Sequence, residues 1–453
     1  MVSGALFEYT SGRWVYNEDM RLVERYLAFN VDELKKVVAN AVDRPASDIE
    51  RVHKLAEGGF NWIFELTTKD GLGILARLPY PSTSPRCLAV AGEVATMDFV
   101  RTQGIPTPRI LGYSFDENAV GSEYIILKKL PGRPLGDAWF ELSEQERLQV
   151  LKPETHTVAI PGAHARFCVG PYAAHRWWFG EHGILSLIEG RELAWIHKFG
   201  RHRYPFHRQH REAFRYEKQD LKVHANSLES YLQVAPYLVP TDLELHSPVL
   251  RHPDVQLNNI FVSADYKVTS LIDWQHAIVL PKSLAAGIPN SFQNYNDPES
   301  SFFSPPHLRA DIDSHNDHEH ILRRRAFDYA GEPWEGLNTP LQYDLAQISQ
   351  HWDEFSPTGA DGTKAPCPVS FIKDEADQID ALDDSHRDAD GDVEHINDLL
   401  GIGSDSWTPH ERFDDAKRKA AEIREQALAS ADDDPWLREM SERHWPFDDF
   451  DKE

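Results

Sequence analysis

The chain has 453 residues, 41% of them hydrophobic, and a formal net charge of −26 at pH 7. This length supports a sizeable core and more than one small domain, and the acidic excess disfavours nucleic acid and anionic lipid as partners. Three widely spaced cysteines exclude a disulfide framework and a CxxC metal site. No apolar run is long enough to span a membrane and no transit peptide is visible, so a soluble, intracellular, cytoplasmic protein is expected.

Helices and then strands are predicted at the start of the chain. Residues 17–42 place apolar side chains at helical spacing, with Asn30 and Asp32 as the break and cap between two helices. From Val52 to Leu78, short runs separated by glycine-containing turns predict three antiparallel strands.

One helix and two more strands complete the predicted first lobe. Helical periodicity covers Glu93 to Thr102, and strands are expected at 110–113 and 123–127. Pro and Gly cluster at 130–134, which predicts the boundary between two lobes.

Beyond this boundary the pattern is mainly helical. Residues 136–148 and 190–235 predict helices, and residues 282–320 predict an irregular surface excursion. Acidic residues from Asp374 onward predict solvated helices. The predicted organisation is an N-terminal helical extension at 1–50, an N-terminal nucleotide-binding lobe at 51–130, a C-terminal catalytic and substrate lobe at 131–350 and an acidic helical appendage at 351–453.

The segment RHPDVQLNNIFVSADYKVTSLIDW predicts a loop followed by a hairpin. Residues 260–262 and 268–272 are strand-like, and turn residues join them. This fold-back brings Asn259 near Asp273, and Asp254 lies on the loop that enters the hairpin. Three oxygen-bearing side chains are therefore expected to converge on one point.

These side chains fit the chemistry of phosphoryl transfer. Asn259 and Asp273 offer hard oxygen ligands that suit Mg²⁺, and Asp254 is placed to orient and deprotonate an attacking hydroxyl. Each of the three alone is a common turn former, but their joint order and spacing, together with His252, match the catalytic loop of protein kinases. His252 is expected to hold the loop through hydrogen bonds and not to act as a base.

Supporting features lie upstream. Gly58 and Gly59 between two strands let backbone N–H groups approach phosphates, although an ordinary hairpin turn explains them equally well. Arg77 ends the third predicted strand, where a kinase places a phosphate-binding cation, and Glu93, predicted to open the next helix, is its candidate ion-pair partner. The alternative is a surface arginine and a glutamate at a helix N-terminus.

Two histidine-rich clusters are not predicted to be metal sites. Residues 311–320, DIDSHNDHEH, lie in the irregular excursion without a rigid scaffold for tetrahedral ligands. His202, His207 and His210 lie among arginines and predict a solvated basic loop.

At these residues the chain resembles the aminoglycoside phosphotransferase superfamily, and within it the fungal group named altered inheritance of mitochondria protein nine. The matching stretches include EGGFNWIFEL, ILARLPYP, GIPTPRILGY, EYIILKKLPGRPLG, RHPDVQLNNIFV and LIDWQH. The resemblance implies a bilobal, protein-kinase-like α+β fold, with a five-stranded antiparallel sheet in the N-terminal lobe and a mainly helical C-terminal lobe. It also implies ATP between the lobes, with the backbone of Glu123 to Leu127, including Glu123 and Ile125, near the adenine.

The resemblance further implies that Asp254 is the catalytic aspartate, that Asn259 and Asp273 bind magnesium and that the protein is mitochondrial. Arg77 departs from the lysine of the family, and the glycine turn lacks the full GxGxxG. The predicted function is an ATP- and Mg²⁺-dependent phosphotransferase acting on a hydroxyl of a small molecule. The alternative is a non-catalytic kinase-like scaffold, which Arg77 and the short glycine turn favour.

Overall fold

A computed structural model describes residues 6–83, 85–151, 193–285, 318–331, 334–356, 363–431 and 433–449. Contacts divide the chain into two compact units. The first contains residues 1–10, 22–179 and 242–315, and the second contains 11–21, 180–241 and 316–453. The four-part division drawn from the sequence stays a prediction.

The first unit contains a five-stranded antiparallel sheet. In order across the sheet, its strands are Ile49–Glu57, Asn61–Thr68, Gly73–Pro79, Tyr124–Lys128 and Ile110–Ser114. Trp62, Phe64 and Leu66 alternate with less buried residues and are fully buried, because successive side chains of a strand point to opposite faces. The predicted α+β class and five-stranded sheet are confirmed.

Helices cover the apolar side chains of this sheet. The helix Val31–Asn40 contributes Leu34 to a core cluster with residues of the sheet. The helix Leu88–Thr102 contributes Met97 to a second cluster, which also contains Ile125. The sheet and the helix Leu88–Thr102 therefore hold the side chains near Arg77 and Glu93 in place.

The predicted break between the first two helices is confirmed. The helix Glu18–Arg25 ends before Asn30, whose side-chain oxygen accepts hydrogen bonds from the N–H groups of Asp32 and Glu33. These bonds satisfy N–H groups that have no partner within the helix, so Asn30 determines where the second helix begins.

The predicted start of the third helix at Glu93 is wrong. The helix begins at Leu88, after Cys87, which has a φ of +65° and provides no side-chain cap. The sequence therefore lacks the capping residue that usually marks a helix start. Glu93 lies in the second turn, on the buried face.

The predicted hairpin that carries Asn259 and Asp273 is confirmed. Strand Ile260–Val262 pairs with Val268–Leu271 and also with Arg133–Pro134. At Gly132 the φ is +96°, and an added Cβ would lie 2.3 Å from the Val262 carbonyl oxygen, so the turn requires glycine. The other α-helices and strands of this unit among the described residues are Glu144–Leu151, Pro248–Arg251, Ile278–Pro281 and Lys282–Ala285.

The second unit is mainly helical. Its α-helices among the described residues include Leu221–Leu238, His318–Ala330, Trp334–Gln350, Trp352–Phe355, Lys373–Leu400, His410–Ser430 and Pro435–Arg443, and residues 193–199 are also helical. Leu228, Tyr231 and Leu345 lie at the centre of its main core cluster. Strand Arg13–Trp14 pairs with Trp407–Thr408 in the same unit. The predicted acidic helices after Asp374 are confirmed, and none of the helices among the described residues has the length and apolar character to cross a membrane.

The predicted helix over 190–235 is interrupted. Between residues 200 and 220 there is only a short 3-10 helix, Arg208–His210, and Arg215 and Tyr216 have positive φ angles. His210 is buried, so the predicted solvated basic loop is wrong at that residue. Most of the predicted irregular excursion, 286–317, lies outside the described residues, as does most of the acidic and histidine-rich cluster at 311–320.

Candidate active site

Backbone hydrogen bonds at Ile272 fix the residue that precedes Asp273. The N–H of Ile272 donates to the Asn259 carbonyl oxygen at 2.9 Å, and its carbonyl oxygen accepts from His252 Nε2 at 2.8 Å. Asp273 is therefore held beside the loop that carries Asp254 and Asn259.

His252 joins the two parts of this site and has no free ring nitrogen. Its Nδ1 accepts from the backbone N–H of Asp254 at 3.1 Å, while Nε2 donates to Ile272. The ring also packs against Trp274, with centroids 4.6 Å apart. Burial lowers the pKa of His252 and keeps it neutral. The predicted loop-holding role is confirmed.

The side chains of Asp254 and Asn259 orient each other. Asn259 Nδ2 donates to the backbone oxygen of Asp254 at 2.9 Å and to its Oδ2 at 3.1 Å. Gln256 Nε2 donates to the same Oδ2 at 2.6 Å. Because its nitrogen faces Asp254, Asn259 turns its Oδ1 away from Asp254. Both side-chain hydrogen bonds to the Asp254 carboxylate go to Oδ2.

Asp273 has an unusual backbone conformation. Its φ of +67° lies in the left-handed region, which few residues other than glycine adopt. Such conformations concentrate at functional sites, where the surrounding structure maintains them. The Asp273 side chain is 38% exposed, and its Oδ1 accepts from Arg77 Nη2 at 2.7 Å.

Arg77 is a buried cation shared by two carboxylates. Its side chain is 7% exposed, and Nη1 donates to Glu93, which is 3% exposed. Burial opposes the charge of Arg77, but Glu93 and Asp273 outweigh this effect and hold the pKa of Arg77 above its ordinary value. Burial raises the pKa of Glu93, against the effect of Arg77. Neither residue is the surface group that the alternative interpretation expected.

Asn61 and Gln275 also contact Arg77, and the sequence interpretation missed both. Gln275 Oε1 accepts from Arg77 Nη2 at 2.8 Å and from Asn61 Nδ2 at 2.9 Å. Asn61 directly follows the glycine turn, and Gln275 lies two residues after Asp273. Their positions next to predicted site residues were the available signal.

A small cavity of about 10 Å³, room for about one water molecule, lies beside this network. Its lining residues are Asn61, Arg77, Pro79, Thr83, Ala89, Val90, Glu93, Ile125 and Gln275. Ile125 lies directly across the sheet from Arg77. Glu123 is not among these lining residues. Its side chain accepts a hydrogen bond from the N–H of Cys87 at 3.1 Å.

The glycine turn is fastened to the segment after the third strand of the sheet. The Gly58 carbonyl oxygen accepts from the Tyr80 hydroxyl at 2.9 Å. The Phe60 carbonyl oxygen accepts from the Thr83 hydroxyl at 2.7 Å. At Gly59 an added Cβ would meet no atom within 4 Å, so packing does not require this glycine. The turn is thus held in place with open space beside Gly59.

The residues present fit a magnesium ion. Asp273 supplies a carboxylate that already pairs with a cation, and Asn259 supplies an amide oxygen turned away from Asp254. These are the hard oxygen ligands that Mg²⁺ prefers, usually with phosphate and water completing the shell. Within the described ranges no group of three or more His, Cys, Asp or Glu side chains is arranged to hold a metal.

Comparison with known proteins adds a family match. Residues 52–279 match the model described as "Phosphotransferase enzyme family". A subtelomeric hrmA-associated cluster protein of Aspergillus fumigatus is 26% identical, covering 88% of this chain and 96% of its own. Altered inheritance of mitochondria protein 9, mitochondrial, of Candida tropicalis is 28% identical over 30% of this chain and 27% of its own.

Solved structures of kinase-like proteins align over most of the chain at low identity. A putative aminoglycoside phosphotransferase of Ralstonia eutropha covers 80% of this chain and 98% of its own, with 12% identity and a TM-score of 0.36. The Plasmodium vivax ethanolamine kinase covers 78% and 86%, with 14% identity and a TM-score of 0.39.

Proposed function

Since residues 52–279, about half of the chain, match its model, the protein belongs to the phosphotransferase enzyme family, and we propose that it is an ATP- and Mg²⁺-dependent phosphotransferase acting on a hydroxyl of a small molecule. The observation that carries this proposal is the pair of hydrogen bonds that join the Ile272 backbone to Asn259 and His252. Through them, Asp273 lies beside the loop that carries Asp254.

In this proposal Asp254 orients the acceptor hydroxyl and takes its proton. Gln256 and Asn259 hold its Oδ2, so that Oδ1 faces the acceptor in one orientation. Asn259 and Asp273 would hold magnesium, which when bound neutralises charge on the β- and γ-phosphates.

Arg77 is the proposed phosphate-binding cation. A guanidinium has five N–H donors, and the bonds to Glu93, Asp273 and Gln275 use three of them. In this proposal the positive charge, and any donor that Asn61 does not take, would serve the α- and β-phosphates. The turn at Gly58 and Gly59 would cover the phosphates.

The second candidate function is a non-catalytic kinase-like module. The observation that favours it is the ion pair between Arg77 and Asp273, because a metal must compete with Arg77 for the Asp273 carboxylate. Such a module would bind nucleotide weakly and would not transfer phosphate.

The test is Mg²⁺-dependent ADP release in the presence of hydroxyl-bearing metabolites, including amino-alcohols and sugars. Asp254→Ala is expected to bind ATP normally and to lose about a thousand-fold in turnover. Asp265→Ala is the matched control, because Asp265 is exposed in the turn of the same hairpin and pairs with Lys267. Unchanged turnover in Asp254→Ala would remove its proposed role, and no ATP binding at millimolar concentration would defeat the enzyme proposal.

The proposal extends to location. The Candida relatives carry "mitochondrial" in their names and match about a third of this chain. We infer a mitochondrial location for this protein on that basis. Fractionation of cells that express the tagged full-length protein tests it, and recovery only in the cytosolic fraction would contradict it.

A further inference from the structure

Gln275 is a buried amide at the centre of the Arg77 network. Its side chain lies between Asn61, His276 and the guanidinium of Arg77, and the residue is 6% exposed. Its Oε1 accepts from Arg77 Nη2 at 2.8 Å, and its Nε2 lies 3.0 Å from His276 Nε2. Both ends of the amide are therefore fixed, and Oε1 has a defined direction.

Asn61 strengthens this arrangement. One terminal atom of its amide lies 2.9 Å from Gln275 Oε1 and 3.1 Å from Arg77 Nε. As nitrogen, this atom donates to Gln275 Oε1, the same oxygen that accepts from Arg77. As oxygen, it would accept from Arg77 Nε and Nη2 itself.

Gln275 and Asp273 accept from the same nitrogen of Arg77. Nη2 lies 2.7 Å from Asp273 Oδ1 and 2.8 Å from Gln275 Oε1. If Asp273 turns its carboxylate to a metal, Nη2 loses that acceptor but keeps Gln275. Without Gln275, the guanidinium would then be held at Nη1 by Glu93 and, where the Asn61 amide presents its oxygen, by Asn61.

We propose that Gln275, supported by Asn61, is a positioning residue that keeps the Arg77 guanidinium in place when Asp273 binds the metal. This inference rests on the proposed function, because it matters only when a metal–nucleotide complex occupies the site. It predicts that Gln275 acts through the forked geometry of arginine. A lysine at position 77 carries its donors on a single nitrogen and cannot make the same set of bonds.

The test is a double-mutant cycle on the calorimetric affinity for Mg²⁺–ATP. Gln275→Met keeps the side-chain length and removes the acceptor. We expect it to weaken Mg²⁺–ATP binding about ten-fold in the otherwise unaltered chain, since it removes one hydrogen bond to a charged group. In the Arg77→Lys background the same change is expected to alter affinity less than about two-fold. Gln233→Met, at an exposed glutamine of the helix Leu221–Leu238, is the matched control.

The outcomes separate this inference from the proposed function. An equal loss of affinity in both backgrounds would overturn the inference, because a merely structural glutamine acts without regard to residue 77. Normal Mg²⁺–ATP binding by Gln275→Met would also overturn it and would leave the proposed function standing. If the unaltered chain does not bind Mg²⁺–ATP, both are overturned. Thermal unfolding of each variant shows whether the protein remains folded.

Discussion

Each unit of the protein contains a buried polar cluster, and the two clusters differ in what burial does to charge. In the first unit, Arg77 stays charged because Glu93 and Asp273 pair with it. In the second, burial lowers the pKa of His386 to about 4 and keeps it neutral. The first cluster therefore keeps a buried charge, whereas burial keeps a ring of the second neutral.

The geometry of the histidine cluster supports this distinction. The rings of His210 and His386 stack with centroids 4.1 Å apart and planes 6° apart. His210 Nε2 lies 2.8 Å from Asp390 Oδ1. The two rings therefore each cover one face of the other.

Removing the buried cation should have the largest effect on stability. Arg77→Met leaves Glu93 buried without its partner, so we expect the free energy of unfolding to fall by about 3–5 kcal/mol. Denaturant unfolding measures this change. Arg418→Met is the control, because Arg418 pairs with Asp415 and Glu422 on an exposed helix face, where a much smaller loss is expected. Equal losses in the two variants would show that burial does not distinguish these ion pairs.

Lowering the pH should reduce the free energy of unfolding through the histidine cluster. Because the folded pKa of His386 is below the ordinary value of 6.5, its contribution to stability is present above pH 6.5 and is lost as pH falls towards 4. The free energy of unfolding should fall less between pH 7 and pH 4 in His386→Phe than in the unaltered chain, by about 2 kcal/mol. This value is already lowered to allow for partial solvation of the ring. Unfolding measured from pH 7 to pH 4 tests this, with the exposed His53→Phe as control. An unchanged pH dependence in His386→Phe would contradict the neutral-histidine interpretation.

A helix cap away from both clusters should have the smallest effect. Asn30→Ala removes the acceptor for the N–H groups of Asp32 and Glu33, which is expected to cost about 1 kcal/mol. Denaturant unfolding measures it, and Mg²⁺–ATP affinity should not change. A loss of unfolding free energy as large as that of Arg77→Met would show that a local helix cap contributes as much to stability as the buried network.

The sequence was sufficient to predict what depends on neighbours along the chain. The hairpin after Asn259 follows from two short apolar runs and a turn, and the spacing from Asp254 to Asp273 follows from it. The break at Asn30 follows from its capping side chain. These features are local, so one sequence contains the information.

Features that join distant residues could not be predicted in this way. Asn61 and Gln275 meet across 214 residues, and the partner that buries His210 is His386. The start of the helix at Leu88 was missed because Cys87 supplies no side-chain cap. The contact of Asn61 with Gln275, the contact of His210 with His386 and the helix start at Leu88 all depend on tertiary packing.

In the proposed function, Asn259 and Asp273 bind one divalent ion together with ATP. Titration of the protein with Mn²⁺ in place of Mg²⁺, in the presence of ATP and followed by electron paramagnetic resonance, tests this claim. We predict one nucleotide-dependent Mn²⁺ site per chain, weakened at least about ten-fold by Asp273→Ala and by Asn259→Ala, but not by the control Asp265→Ala. Mn²⁺ binding that is unchanged in Asp273→Ala would contradict the claim.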